Sequence, residues 1–421
     1  MPGGTRLFVR LLIAVTAAFA AFAVPAFGSP SVLYGAQDDA WLRYGPGTLS
    51  QRIARLESLG VEVMRINVDW SEVEPRAGVF NWSGYDPEIN ALHIAGIEPV
   101  LTLVSTPSWA NGGQGTNFAP TSGSSFAAFA GAAAGHYRFV KRWLIWNEPN
   151  QRRWLRPTVP SIYVQRLLNP AYAAIHQVLP QALVGGGVTA PRAATGGVSP
   201  IAWIQGMAAA HARLDAYAHN PYPLSPSETP YSGGCTHCST LTMATLPQLI
   251  TEVTNAFGPS KQIWLTEYGY QTDPPDTFLG VPLQKQALYI DEAALRAYLA
   301  PRVDMLIQYL IQDEPELDRW QSGLLTTSGV EKPSYQAFQV PLTVESRTST
   351  TVTLWGQIRP GGGDQPYLLE ELQGSKWLPI GGTGHTSPRG FFKRVVPAIA
   401  GAGFRVVQLG RGLTSATLIA N

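Results

Sequence analysis

Short apolar runs of strand type recur along the chain at residues 32–35, 63–67, 99–104, 142–146, 183–187, 214–219, 263–267 and 305–310. Between them lie stretches with apolar residues at helical spacing, among them 49–59, 126–137, 161–178 and 283–299. Strand followed by helix, repeated, predicts parallel strands joined by crossover helices. Eight such units are the number that closes a (β/α)8 barrel. An open doubly wound sheet is the rival arrangement, but no G-x-G-x-x-G follows an early strand. The pattern changes after Val340. Segments 350–358, 367–372 and 404–408 read as strands, separated by turns such as Pro360-Gly-Gly-Gly363 and Gly381-Gly382. The prediction is an α/β chain: a (β/α)8 TIM barrel over 29–340, then a small β-sandwich over 341–421.

Length fits this division, since 421 residues exceed the roughly 250 that a barrel needs. The N-terminus reads as a secretion signal over 1–28. Arg6 and Arg10 precede an apolar run from Leu11 to Val24, and Ala26 and Gly28 offer small residues for cleavage. The alternative is an uncleaved anchor, although the run is short for a membrane span. A secreted, extracellular or wall-associated protein is therefore expected, with no membrane contact after signal cleavage. The two cysteines form Cys235-Thr-His-Cys238. Such a C-x-x-C can be a redox motif or half a zinc site. It follows a Tyr-Ser-Gly-Gly turn and has no second cysteine pair, so a disulfide between Cys235 and Cys238 is expected and no metal. The formal charge of +1 gives no reason to expect nucleic acid or an acidic membrane as partner. Only 14% of residues are charged, while Trp (12) and Tyr (16) are plentiful. Flat rings suit the apolar faces of pyranose sugars, and they equally suit a large core.

Chemistry in a (β/α)8 barrel sits at the C-terminal ends of the strands. The fourth run ends Leu144-Ile-Trp-Asn-Glu-Pro-Asn150 and the seventh ends Ile263-Trp-Leu-Thr-Glu-Tyr-Gly-Tyr270. Each places a glutamate, Glu148 or Glu267, where the rim loops begin. Glycoside cleavage needs two carboxyl groups, one to protonate the leaving oxygen and one to attack the anomeric carbon or activate water. Asn147 is placed to bond a sugar 2-hydroxyl. The bland alternatives are that Glu148 opens a helix at Pro149 and that Glu267 pairs with an arginine. No esterase elbow G-x-S-x-G and no H-E-x-x-H zinc motif is present. Asp38-Asp39 reads as a loop turn, with a sugar contact as the second reading.

At these residues the chain resembles the clan A glycoside hydrolases, the 4/7 superfamily of retaining (β/α)8 enzymes, and within it families 39 and 5. The resemblance rests on Asn147-Glu148-Pro149 and on Arg65-Ile-Asn-Val-Asp-Trp-Ser-Glu-Val-Glu-Pro75, continued by Gly78-Val-Phe-Asn-Trp82, Asp86 and Gly96-Ile-Glu-Pro99. It spans residues 31–340. It implies Glu148 as acid/base, Glu267 as nucleophile and a carbohydrate, in particular a polysaccharide, as substrate, with no cofactor. It also implies that Arg65 lies beside the nucleophile, with a structural ion pair as the alternative. His219 and Tyr222 resemble the clan's His/Tyr pair, with a satisfied core histidine as the alternative for His219. Trp109 would line the cleft, and Trp320, Tyr309 or Gln312 would reach the sugar. Trp70 and Trp146 would line the cleft or pack in the core. Two departures bear on the substrate. The third run ends Leu103-Val-Ser-Thr-Pro107 without the histidine of many family 5 members, and the eighth lacks the clan's frequent terminal tryptophan. A transglycosylase using the same pair and a non-catalytic carbohydrate-binding wall protein are the rival functions. The sandwich either binds carbohydrate or caps the barrel, and oligomeric state is left open.

Overall fold

A computed structural model describes residues 30–235 and 238–420. The expected signal over 1–28 lies outside the described residues. Eight parallel strands form a closed barrel: β1 (Leu33–Gln37), β2 (Val63–Asp69), β3 (Glu98–Val104), β4 (Arg142–Ile145), β5 (Leu183–Thr189), β6 (Ala216–His219), β7 (Gln262–Tyr268) and β8 (Val303–Tyr309). Each strand pairs with its neighbours in sequence, and β8 closes on β1 with Leu33 opposite Met305. One helix of eight residues or more, or a shorter terminal one, follows each strand: α1 (Leu49–Leu59), α2 (Asp86–Ile94), α3 (Gly123–His136), α4 (Asn169–Val178), α5 (Pro200–Ala209), α6 (Leu246–Phe257), α7 (Leu283–Leu299) and α8 (Pro333–Gln339). The barrel is the one expected from the run pattern.

Alternation along the strands sorts side chains between two cores. Val63, Val100, Leu144, Ala216, Ala218, Trp264, Met305 and Ile307 fill the barrel, while Met64, Leu101, Trp143, Tyr217 and Leu306 face the helices. Trp264 is too large for a barrel interior of ordinary side chains. Room for it comes from Gly185, where an added Cβ would stand 2.6 Å from its ring, and from the two small residues of β6.

Helix signals are local. Thr48 and Gln51 form a reciprocal capping box at the start of α1, and Gly60 ends it in the left-handed region at φ 73°. One helix was expected over 161–178. Instead a turn at Pro160–Tyr163 leads into a π segment, Val164–Leu168, and then α4. Pro170 has no N–H for the carbonyl four residues back, and the Asn169 N–H bonds Val164 O, five residues back.

The C-terminal strands are β9 (Leu342–Arg347), β10 (Thr351–Gln357), β11 (Pro366–Gln373), β12 (Lys376–Pro379), β13 (Gly384–His385), β14 (Phe391–Pro397), β15 (Ala402–Gln408) and β16 (Leu418–Ala420). One antiparallel sheet runs β9-β10-β14; the other runs β12-β11-β15-β16, with β13 beside β11. They sandwich a core that includes Leu354, Tyr367, Leu369, Phe392 and Phe404. The Cys235–Cys238 disulfide is formed in the loop between β6 and α6.

The sandwich grips the barrel far from the strand C-termini. Arg389 donates to the carbonyls of Pro30 and Val32 before β1 and pairs with Glu62 before β2. The Arg359 guanidinium lies 4.0 Å from the Tyr34 ring centroid and donates to Phe338 O. Trp355 and Phe391 pack on Tyr298 of α7. Deleting 341–421 therefore uncovers Tyr34, Tyr298 and Phe338 together, at a cost of several kcal/mol at about 25 cal/mol per Å2 of apolar surface. The truncated chain is expected to be insoluble. Soluble 29–340 with an unchanged melting temperature would show instead that the sandwich is a separate attachment.

Candidate active site

The alternation of β2 turns Arg65 into the barrel, where it is fully buried. Its guanidinium spans four strands. Nε donates to Thr102 Oγ1 on β3 at 2.9 Å, and Nη2 donates to Asn147 Oδ1 past β4 at 2.8 Å. Nη1 donates to Glu267 Oε1 at 2.7 Å and to Thr266 O at 3.1 Å on β7. A planar fork with fixed donors suits this bridging better than a point charge.

A bulge aims Glu267 at Arg65. Simple alternation from Trp264 would point Thr266 and Tyr268 inward and Glu267 outward. Leu265 pairs with Leu306 and Tyr268 with Gln308, so β7 holds one more residue than β8 across that interval. Thr266 and Glu267 both turn toward the site, and Tyr268 drops into the helix-side core. The second carboxylate oxygen of Glu267 accepts from the Tyr222 hydroxyl at 3.2 Å. Burial pushes Glu267 up, while the Arg65 pair and the Tyr222 hydroxyl pull it back toward the ionised form. Tyr222 itself is driven far above its ordinary value by burial and by Glu267, so it remains a donor.

Glu148 is half-buried and, among the described residues, has no cation in contact. β4 stops at Ile145 because Trp146 leaves the extended region at φ 70°, one residue earlier than the run predicts. Glu148 follows at φ 39°, opposite Val188 at φ 45°, whose carbonyl accepts the Glu148 N–H at 2.9 Å. Left-handed backbone at a glutamate and at a β-branched valine costs of order 1–3 kcal/mol each and persists where the surroundings enforce it. Asn150 supplies that enforcement: fully buried, it bonds Ala190 N and O and Val198 O on the β5 loop. Glu148 Oε1 accepts from Asn220 Nδ2 at 3.2 Å and Oε2 accepts from Trp154 Nε1 at 3.1 Å. Burial, then the charge of Glu267, push the Glu148 carboxyl up to about 7. The two glutamates are also linked through protein: Asn220 Oδ1 accepts from the hydroxyl of Thr266, the residue before Glu267, at 2.8 Å.

The other expected residues separate into two groups. Trp320 comes to the site from the β8 loop, its ring 5.0 Å from Tyr222 and 5.7 Å from Tyr309. Tyr309 stands 6.1 Å from Tyr222. These three rings form the aromatic wall beside Glu267, where the eighth run carries no terminal tryptophan. Trp109, on the β3 loop, is partly exposed; its Nε1 donates to Glu74 O and its ring meets Trp70 edge-on. His219 does not join them. Its Nδ1 meets Thr189 Oγ1 at 2.8 Å and its Nε2 meets Leu241 O at 2.9 Å, so neither nitrogen is left for a ligand. It is the satisfied core histidine, held neutral as burial pushes it down to about 4. Gln312 bonds Thr327 O, and Trp70 and Trp146 are buried in the core. Asp38 caps a short helix through Trp41 N and accepts from Ile311 N and Gln312 N, a structural turn. Asn220 and Trp154 are the site residues that sequence reasoning missed. Asn220 lies between the expected His219 and Tyr222, and Trp154 lies six residues after Glu148.

One carboxylate paired with a cation and one carboxyl that holds its proton near neutrality form the division of protonation states that acid-and-nucleophile chemistry requires. No family model matches the chain, and no curated protein matches it. Solved structures do. A family 39 glycoside hydrolase from the gut symbiont Bacteroides cellulosilyticus WH2 superposes with a TM-score of 0.62 at 18% identity, over 86% of this chain and 78% of that one. The chain has the fold of the clan A glycoside hydrolases. A glucosidase from Croceicoccus marinus gives a TM-score of 0.58 at 12% identity, over 87% of this chain and 93% of its own. The GH39 enzyme from Xanthomonas axonopodis pv. citri gives 0.56 at 14% identity, over 89% and 92%. Each match covers more of this chain than the barrel alone occupies, so the shared fold extends into the sandwich.

Proposed function

We propose that this chain is a secreted retaining glycoside hydrolase acting on a poly- or oligosaccharide, with Glu267 as nucleophile and Glu148 as acid/base. The observation that carries this reading is the unequal treatment of the two glutamates. Glu267 is bound by Arg65 at 2.7 Å, whereas Glu148 has neutral donors only and sits at about 7. Secretion is supported by the basic start and apolar run before Ser29 and by the disulfide.

In the first step a Glu267 oxygen attacks the anomeric carbon as its bond to the leaving oxygen breaks. Glu148 gives its proton to that oxygen. Both donors to Glu148, the Asn220 amide and the Trp154 indole, can only give hydrogen bonds there, so the carboxyl proton is directed to the substrate. Esterification removes the charge of Glu267 and lowers the Glu148 pKa. Glu148 then takes a proton from water, water attacks the anomeric carbon, and the ester bond to Glu267 breaks. Asn147, fixed through its oxygen by Arg65, keeps its amide hydrogens for the 2-hydroxyl. The sequence balances with two carboxyls and water.

Activity needs Glu148 protonated, so kcat/KM is expected to fall as pH rises through about 7. Asn220 lowers the Glu148 pKa by donating to its carboxylate. Asn220→Ala should therefore move the alkaline limb to higher pH. A limb that stays in place in this variant would remove Glu148 as the titrating acid. Proton NMR of the first product tests the stereochemistry: retention is expected, and inversion would require a water between the carboxyls.

A further inference from the structure

We infer that the leaving-group side of this cleft accepts a negatively charged sugar, so that the substrate is an acidic glycan; the inference rests on the glycosidase reading for its orientation. The loops that follow β3, β4 and β5, over 105–122, 146–159 and 190–199, hold four arginines and one carboxylate, Glu148 itself, although the whole chain has a formal charge of only +1. These loops build the β3, β4 and β5 sector of the rim. The mouth of the sector carries Arg152, Arg153 and Arg192, all exposed, and among the described residues none has an acidic partner.

A direct contact holds Arg153 beside the acid/base, and contacts of the neighbouring loops hold the segments of Arg152 and Arg192. Trp154 donates to Glu148 Oε2 at 3.1 Å and is still 40% exposed, so part of its ring meets solvent next to the proton donor. The Arg153 guanidinium stands 5.5 Å from the centre of that ring. Arg152 lies along Gly196 of the β5 loop, where its Cδ is 2.8 Å from the place of an added Cβ. Arg192 is tied to the same loop pair, because Gln151 Nε2 donates to its carbonyl. The opposite rim is of the other sign: the β8 loop holds Glu314, Glu316 and Asp318 beside Arg319, while its Asp313 is taken up by Lys332. A cleft polarised in this way orients a charged ligand and raises its local concentration. The anion therefore belongs beside Glu148, on the sugar that leaves, and the exposed part of the Trp154 ring supplies an apolar surface for that sugar. A uronate carboxylate and a sulfate ester share this chemistry.

Affinity electrophoresis tests the inference without turnover. The probes are polygalacturonate, which carries carboxylates, heparin, which carries sulfates as well, and neutral xylan. Wild type is expected to be retarded by one or both acidic polymers more than by xylan, and added salt should remove the difference. Polygalacturonate alone or together with heparin would assign carboxylate recognition; heparin alone would assign sulfate. The triple variant R152S/R153S/R192S should bind the acidic polymer roughly tenfold more weakly, at a factor of about two for each exposed ion pair. Equal retardation by xylan, or a salt-insensitive preference, would overturn the inference in wild type alone, whatever the folding of the variant. A folded triple variant that binds as wild type does would overturn it as well. The two readings fail separately: retardation by acidic polymers with no glycosidase activity would sink the catalytic proposal, whereas turnover of neutral and acidic glycans alike with charge-blind binding would sink this one.

Discussion

Glu267→Gln is expected to abolish turnover of every glycoside the wild type cleaves, by on the order of ten-thousand-fold or more. The amide keeps the shape of the carboxylate and still offers one oxygen to Tyr222 or Arg65. It has no charge and cannot form the ester. The substitution also leaves the buried Arg65 guanidinium without its counter-ion, since its remaining partners are Thr102, Asn147 and the Thr266 carbonyl. Breaking a buried pair by removing one partner costs about 3–5 kcal/mol. The melting temperature should therefore fall along with activity. Circular dichroism and thermal melting separate the two losses: a folded, inactive Glu267→Gln supports the nucleophile role, and a folded variant with near wild-type kcat/KM removes it.

Glu148→Gln is expected to act selectively. It removes the acid needed by a poor leaving group and the base needed by water. Turnover of an unactivated glycan should fall by about a hundred- to ten-thousand-fold. A dinitrophenyl glycoside needs no protonation to leave, so the first step should persist, the glycosyl-enzyme should accumulate, and stopped-flow should show a burst followed by slow release. The alkaline limb of the pH profile should vanish. The amide introduced there would present one acceptor oxygen to two donors, Asn220 and Trp154. One donor would be left unpaired, at about 1–3 kcal/mol if it stays buried. Equal loss on activated and unactivated substrates would take the acid/base role away from Glu148.

Most of the barrel was legible because its signals are local. Apolar runs bounded by turn residues set each strand to within two residues, and the helix period set α1 and α7 at 49–59 and 283–299. The glutamates were legible because strand ends are where barrel chemistry sits. What escaped was set by geometry that has no sequence period. The bulge before Tyr268 decides that Glu267 points inward, yet alternation alone points it away. The left-handed turn at Trp146 does the same for Glu148. His219 was expected at the sugar, but Thr189 and Leu241 take both of its nitrogens, and the neighbouring Asn220 makes the contact to Glu148 instead. Trp154 was hidden for a related reason: its value lies in one indole hydrogen meeting Glu148 across a six-residue loop. The π segment before α4 was missed through Pro170, whose lost N–H is felt a full turn earlier in the chain.

Covalent catalysis at Glu267 is tested by trapping the glycosyl-enzyme. The protein would be incubated with a panel of activated 2-deoxy-2-fluoro glycosides, which slow the second step, and then digested for mass spectrometry of its peptides. One glycosyl group is expected on the peptide containing Thr266-Glu267-Tyr268, and none on that peptide in Glu267→Gln. Hydrolysis of the parent glycosides with no adduct on that peptide, or an adduct on Glu148, would contradict it.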